Sequence, residues 1–287
     1  MIDEIKINHK IKRRLAGKVV VLIVCLIFIL LLAGTICQIF LLSKKMKLIF
    51  FDVGQGDSIL IHTPLNQNIL IDGGPDNSIL SHFGDNNFYF MRKVDWIIIS
   101  HAHDDHIIGL IELIKRYKIK KLIYLDNNYL SPIFLELIAQ AKKGKVEIIP
   151  LSKNAKITLG DNCYLNLYNP LLLNVPADDN NSIAVKLECQ GLKFLSAGDN
   201  SAKVEEKMIS SHIDLSANIL KAAHHGSKTA NSLEFLKKVD PLLVAISVGA
   251  DNRFGHPSPE IVERIKNLSI SLKRTDQLGD IKIFIDN

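Results

Sequence analysis

The sequence predicts an α/β fold: one layered domain of alternating strands and helices behind a single membrane-crossing helix. Three observations carry that expectation. From residue 47 onward, short apolar runs alternate with segments of helical periodicity, the pattern of a layered α/β domain. Between an apolar strand at 96–99 and a helical segment at 107–117 lies the polar cluster Ser100-His101-Ala102-His103-Asp104-Asp105-His106. Residues 19–42 form an uncharged, almost wholly apolar run.

Residues 1–18 carry Lys6, Lys10, Lys12, Arg13, Arg14 and Lys18 against Asp3 and Glu4, which is +4 of the chain's net +5. About 20 apolar residues cross a bilayer core as helix, so the run at 19–42 can cross with some tilt. A cleaved signal peptide would have an apolar core of ~7–15 residues ending in an A-x-A-like site. Here the run ends in Gln38-Ile39-Phe40-Leu41-Leu42, and Cys37 after Gly34-Thr35-Ile36 is a poor lipoprotein site. An uncleaved signal anchor in the cell membrane is expected. Six Lys/Arg precede it and Lys44, Lys45 and Lys47 follow. The positive-inside bias then places residues 1–18 in the cytoplasm and a single domain, 43–287, outside the cell. That domain carries only the remaining +1, which by itself makes no case for nucleic acid.

Within the domain, strands are expected at 47–51, 58–61 and 68–71, the last two a hairpin across Thr63-Pro64-Leu65-Asn66. A short helix and a loop share 77–91. After the polar cluster and its helix come a strand at 122–125, a helix at 132–143 and strands at 146–149, 164–168, 183–189 and 192–195. A helix at 202–211, a strand at 219–222, a helix at 233–238 and a β-branched strand at 243–248 follow. The last helix, 259–268, has Pro259 in its first turn and Ser258 as N-cap, and a strand at 280–285 closes the chain. Cys25 and Cys37 lie in the membrane run, and Cys163 and Cys189 in strand-like segments. Without C-x-x-C spacing, buried free thiols are expected, a disulfide being the alternative in an oxidising exterior.

The polar cluster reads H-x-H-x-D-H. Imidazole nitrogens and carboxylates are the ligands a divalent cation such as zinc takes. In a tight strand-to-helix loop, His101 and His103 can face one ion while Asp105 and His106 face a second. Three His and two Asp within six residues is a dense grouping for a chain with 10 His.

This loop, with Asp199 in Leu195-Ser196-Ala197-Gly198-Asp199 and the pair His224-His225-Gly226-Ser227, resembles the metallo-β-lactamase superfamily of metal-dependent hydrolases. More narrowly, the chain resembles the hydrolase domain of ComEC-type competence (DNA internalisation) proteins. The stretches that carry this are Phe51-Asp52-Val53-Gly54-Gln55-Gly56-Asp57, Asp72-Gly73-Gly74, KAAHHGSK at 221–228, Gly255-His256-Pro257-Ser258-Pro259-Glu260 and Arg274-Thr275-Asp276-Gln277. The multi-span channel of those proteins is replaced here by one helix. The resemblance implies an αββα sandwich with a two-metal site at its edge, in a membrane-anchored form.

It also implies roles. His101 and His103 match ligands of a first metal, Asp105 and His106 ligands of a second, and Asp199 the carboxylate that bridges both. One histidine of the pair matches a further second-metal ligand: His224 is the first choice, His225 the second. Asp105 also matches a residue that orients the nucleophile. Asp52, Asp57 and Asp72 match acids that fix ligand imidazoles. His256 is placed to donate to a leaving group or hold a phosphate, and Ser227, Lys228, Arg274, Thr275 and Asp276 to contact substrate or shape the rim. Most members have a separate histidine between the loop and the bridging carboxylate. None lies between His106 and His212 here; Asn180-Asn181-Ser182 falls near that place, so Asn181 or a water fills the gap. The competence domains also tend to have Asn there, and often Asp where this chain keeps His103. Zinc is the expected ion, one or two of them, with manganese, whose preference leans to oxygen, the alternative for a first site short of one ligand. His9, His62, His82 and His212 match nothing and read as surface or structural.

Two classes of function compete. One is an extracytoplasmic metallohydrolase, in the first place a phosphodiesterase or nuclease acting on DNA, with a cell-wall phosphocholine esterase, a lactonase or a β-lactamase as alternatives. The other is a non-catalytic membrane protein that keeps the fold. The implied partners are a phosphodiester substrate and, through residues 19–42, the lipid bilayer.

Overall fold

A computed structural model describes residues 17–35, 46–85, 92–127, 129–160, 162–175, 178 and 180–285. It divides the chain into two units, Met1–Lys45 and Met46–Asn287. In the first, α1 (Gly17–Thr35) has 19 residues with side chains exposed throughout, and among the described residues it alone is long and apolar enough to cross a membrane. Residues 1–16 and 36–45, with His9, Cys37 and the flanking lysines 44 and 45, lie outside the described residues.

The second unit begins with β1 (Met46–Phe50), β2 (Ile59–His62), β3 (Asn68–Ile71), α2 (Ser78–Asp85), β4 (Lys93–Ile98), α3 (Asp104–Arg116), β5 (Lys118–Leu125), α4 (Pro132–Lys143) and β6 (Glu147–Leu151). It continues with β7 (Ala155–Gly160), β8 (Cys163–Tyr168), β9 (Ala184–Cys189), β10 (Leu192–Ser196), α5 (Ala202–Ser210), β11 (Ile219–Lys221), α6 (Leu233–Val239), β12 (Leu243–Ile246), α7 (Pro259–Asn267), β13 (Ser271–Arg274), α8 (Thr275–Leu278) and β14 (Ile281–Ile285). Two seven-stranded sheets result, ordered β14-β1-β2-β3-β4-β5-β6 and β13-β12-β11-β10-β9-β8-β7. In each, an antiparallel meander runs into parallel strands: β3 to β6 in the first, β10 to β13 in the second.

The sheets pack face to face because successive strand residues point to opposite sides. Leu48 and Phe50 of β1 face the second sheet, where the Phe50 and Phe194 rings meet edge to face at 5.8 Å. Ile49 and Phe51 face the other way, into a core shared with α2, α3 and α4, and Leu195, Leu220 and Val244 face α5, α6 and α7. The layers are therefore αββα, as the resemblance implies. Each fully buried Leu, Ile or Phe contributes ~1.5–3 kcal/mol to this packing.

Several elements differ from expectation. β7 and β13 are the two edges of the second sheet, each with a lysine, and only pairing with β8 and β12 makes them strands. Helix α8 was not legible either, and β5 starts earlier, at Lys118, on residues too charged to read as apolar. Ser258 stands at the N-cap of α7, but its side chain makes no capping hydrogen bond. Cys163 and Cys189 are not free thiols. They are directly opposite in β8 and β9, with Cα atoms 4.0 Å apart, and form a disulfide. Antiparallel register brings them together, and a sequence separation of 26 hides it. His62 is buried against Asn68 (2.8 Å), while His212 is exposed.

Candidate metal centre

The centre lies at the carboxyl ends of parallel strands, where open α/β sheets present loops to ligands. β3 leads to Asp72, β4 runs into the loop 100–106, β10 leads to Asp199, and β11 leads to His224 and His225. Helix α3 starts at Asp104, so Asp105 sits in its first turn, where a carboxylate complements the helix dipole. The helix comes close to the sheet because Gly73 and Gly109 lack side chains: a Cβ on Gly109 would lie 2.1 Å from the Gly73 carbonyl oxygen.

Asp72 organises the loop. Its carboxylate accepts the Ser100 backbone N–H at 2.8 Å and the Ser100 hydroxyl at 2.6 Å, and lies 2.9 Å from His106 Nδ1. A carboxylate in that place holds the proton on Nδ1 and leaves the Nε2 lone pair for the centre. The Ser247 carbonyl does the same for His225, 3.0 Å from its Nδ1. His101 Nδ1 lies 3.2 Å from the Ser100 hydroxyl. The result is that Nε2 of His101, His106 and His225 are all buried without a hydrogen-bond partner.

These nitrogens converge with Asp199 and Asp105. Asp199 Oδ2 is 3.4 Å from His225 Nε2 and 3.6 Å from His106 Nε2; Asp105 Oδ2 is 3.4 Å and 3.8 Å from the same atoms. These separations exceed hydrogen-bond length. They are close to the ~3.3 Å between ligand atoms that tetrahedral zinc bonds of ~2.0–2.1 Å produce. Three orphaned imidazole nitrogens facing two carboxylate oxygens fit a divalent ion. The close groups are His101, His106 and Asp199, and Asp105, His106 and His225; a third, Asp57, Asp72 and His106, lies behind the imidazoles.

The electrostatics describe a centre whose carboxylates stay ionised and draw positive charge toward them. Burial works against ionising Asp199, but His225, Lys221 and His106 outweigh it and hold the carboxyl well below its usual range. Burial likewise opposes ionisation of Asp105, and His106 and His225 overcome it. Burial pushes His101 well down, helped by its neighbour His106. His106 is also desolvated, yet Asp199, Asp72 and Asp105 raise it well above the ordinary histidine value. Burial raises the Asp72 carboxyl even against His106.

The other expected residues divide. His103 joins none of the three groups; its ring lies 4.5 Å from that of His101 and 5.7 Å from Tyr129. The geometry reverses the order of the histidine pair: His225 is buried in the cluster, while His224 is part-exposed with Nε2 4.0 Å from Asp199 Oδ2. Both residues adopt a left-handed backbone, with φ of 51° and 52°, and this tight turn sends the two side chains different ways. His256 stands at the rim, its ring 5.8 Å from that of His224, and burial lowers its pKa. Asn181 is buried, with its N–H on the Asp178 carbonyl. The Ser227 hydroxyl meets Thr229 at 2.9 Å, and Lys228 is exposed.

Asp52, Arg274 and Asp276 are placed elsewhere. Arg274 pairs with Asp276, and burial raises the Asp52 carboxyl, whose charged neighbours are His82, Asp280 and Asp276. Asp280 accepts from the Asp52 backbone N–H and lies 2.9 Å from His82 Nδ1. Asp52 therefore belongs to a tether between β1, α2 and β14 and holds no ligand imidazole. Asp57 does belong to the centre, 3.5 Å from His225 Nδ1.

Sequence reasoning missed the brace behind Asp199. Ser182 accepts the Asp199 backbone N–H at 3.0 Å, and Asn200 exchanges two hydrogen bonds with the Ser182 backbone. It also missed Lys221, which is fully buried and paired with Asp57. A lysine inside the apolar strand Ile219-Leu220-Lys221-Ala222 was the available signal, since lysine is almost never buried unpaired.

Helix-flanked paired sheets with a His/Asp cluster at the strand ends define a metallohydrolase-type fold. The chain belongs to the metallo-beta-lactamase superfamily, which residues 51–249 match. It is similar to ComE operon protein 3 of Bacillus subtilis, 26% identical over 258 residues, covering 84% of this chain and 33% of that protein. It is also similar to the competence protein ComA of Neisseria gonorrhoeae, 25% identical over 238 residues, covering 81% and 31%. The chain thus spans about a third of the length of these relatives. Among solved structures, the metallo-beta-lactamase fold protein YhfI from Bacillus subtilis superposes with a TM-score of 0.59 at 14% identity, covering 84% of this chain and all of that one, which shows the fold.

Proposed function

We propose that this chain is a membrane-anchored, extracytoplasmic metal-dependent phosphodiesterase whose substrate is DNA. The observation that carries the reading is the convergence of three partnerless, buried imidazole nitrogens on Asp199 Oδ2 and Asp105 Oδ2. The similarity to competence-named proteins supports DNA as the substrate. His101, His103 and Asp199 would hold a first ion, and Asp105, His106, Asp199 and His225 a second. Zinc suits the nitrogen-rich set, with manganese the alternative at the first site. Divalent ions held there would lower the pKa of water to about 7 and stabilise charge on a phosphodiester.

The chain's own residues do the rest. Asp72 and the Ser247 carbonyl fix the imidazoles, so that no ligand has to reorient during turnover. Asp105, on a helix turn at the edge of the cluster, orients the attacking water. His256 is neutral at pH 7 because burial lowers its pKa, so its N–H holds a phosphate oxygen or the leaving oxygen. Asn181, or a water, would take the place of the absent third histidine, and Ser227 and Lys228 would contact the phosphate. α1 anchors the protein in the lipid bilayer. The lysine and arginine bias around residues 19–42 supports a cytoplasmic N-terminus, and the Cys163–Cys189 disulfide supports an oxidising exterior for the domain.

The test compares wild type with Asp199→Ala on single- and double-stranded DNA and on bis-(p-nitrophenyl) phosphate, with added zinc or manganese. Metal-dependent cleavage is expected, and Asp199→Ala should reduce it by more than the ~10–100-fold that loss of an outer-shell partner costs. Cleavage of the small diester alone would replace DNA by a small or cell-wall phosphodiester. Cleavage only of a lactone or β-lactam would refute the phosphodiesterase reading.

A further inference from the structure

Lys221 ends β11 beneath the centre and is fully buried. Its ammonium pairs with Asp57, lies 3.4 Å from Asp199 Oδ1 and donates to the Gly198 carbonyl at 3.3 Å. Desolvating an ammonium is costly, and the paired carboxylates compensate for it.

The two oxygens of Asp199 are thereby given different tasks. The three histidines within 4.0 Å all approach Oδ2: His225 at 3.4 Å, His106 at 3.6 Å and His224 at 4.0 Å. Oδ1 faces Lys221. The formal charge is equally specific. Asp57, Asp72, Asp105 and Asp199 bring −4. The imidazoles are neutral as ligands, so Lys221 makes the protein's share −3. Two divalent ions with a neutral water would take the loaded centre to +1, and without Lys221 to zero; deprotonating the water lowers both totals by one and keeps the difference.

We propose that Lys221 is a positioning residue that restricts Asp199 to a single ligating oxygen and keeps the loaded centre cationic, so that it attracts an anionic phosphate. This rests on the reading of the chain as a metal-dependent phosphodiesterase. A residual charge in a water-poor site acts at low dielectric and draws an anion more strongly than the same charge at the surface. The domain's net charge of only +1 supplies little long-range attraction of its own.

The experiment uses the full-length protein in detergent as wild type, Lys221→Met and Lys221→Arg. Each is loaded with cobalt(II), its bound ions are counted by elemental analysis, its visible absorption is recorded, and inorganic phosphate is titrated calorimetrically. Wild type is expected to hold two ions. Lys221→Met should bind phosphate at least about tenfold more weakly, as loss of one partner in a desolvated charge interaction does. Its cobalt spectrum should change as Asp199 becomes free to use both oxygens. Lys221→Arg, which keeps the charge, should restore most of the phosphate affinity. A folded Lys221→Met with wild-type spectrum and phosphate affinity would make Lys221 a merely structural ion pair and overturn the proposal. Should Lys221→Met fail to fold, Lys221→Arg decides: wild-type phosphate affinity supports the proposal, and weak binding despite the retained charge overturns it. If wild type takes up no stoichiometric ion, the metal reading itself fails, which the ion count shows before any phosphate is added.

Discussion

At the scale of single residues, the histidine pair makes the sharpest prediction. His225 has its Nδ1 committed to the Ser247 carbonyl and its Nε2 in the cluster, whereas His224 is part-exposed at the rim. His225→Ala should therefore remove one bound ion and abolish turnover, while His224→Ala should keep the ion count and weaken substrate binding. Elemental analysis of both variants beside wild type checks this, and equal ion loss in the two would refute the assignment. Asp72→Asn is the matching outer-shell test. An amide accepts only weakly from Ser100 and can turn its NH₂ toward His106, so metal affinity should fall roughly 10–100-fold with the fold intact. An unchanged affinity, measured by competition with a chelator, would mean that Asp72 does not set the imidazole.

At the scale of elements, the tether of His82 and Asp280 links α2 to the start of β14. The hydrogen bond to Asp280 raises the His82 pKa; burial works the other way and loses. A folded-state pKa above the unfolded one means stability that is fully present below the unfolded value of about 6.5 and is lost as pH rises through the folded value. His82→Ala should cost about 1 kcal/mol at about pH 5.5, in the range of a partly exposed charged hydrogen bond, and clearly less at about pH 8.5. Urea denaturation at the two pH values measures it. A loss that does not depend on pH would assign the contact to packing of the His82 ring on Phe51, 5.5 Å between centroids, rather than to charge.

At the scale of the whole molecule, the orientation in the membrane and the disulfide should agree. Protein extracted from membranes without reductant and unfolded in a thiol reagent should show no reactive thiol at Cys163 or Cys189, and protease added to intact spheroplasts should digest residues 43–287. Free thiols at both positions, or digestion only after lysis, would put the domain in the cytoplasm. DNA binding by so nearly neutral a domain should be modest and should weaken steeply with salt, because its phosphate contacts release counterions.

The sequence by itself determined the elements whose signal is local. The apolar runs of β1 to β4, the helical segment of α4, the polar loop before α3 and the apolar segment of α1 can all be read without knowing what lies beside them. It also held the residue types of the candidate centre, since His101, His103, Asp105, His106 and Asp199 are legible as a pattern. Only the tertiary structure decided what depends on long-range register. β7 and β13 are strands because of their partners, and Cys163 meets Cys189 because two strands run antiparallel. His225 rather than His224 enters the cluster because a left-handed turn rotates one side chain inward. Asp52 was drawn away from the metal loop by His82 and Asp280, and Lys221 was drawn beneath it by Asp57 and Asp199. Charged side chains carry no periodic signal of where they point. Their place is set by the partner that compensates their desolvation, and here those partners lie far away in the chain.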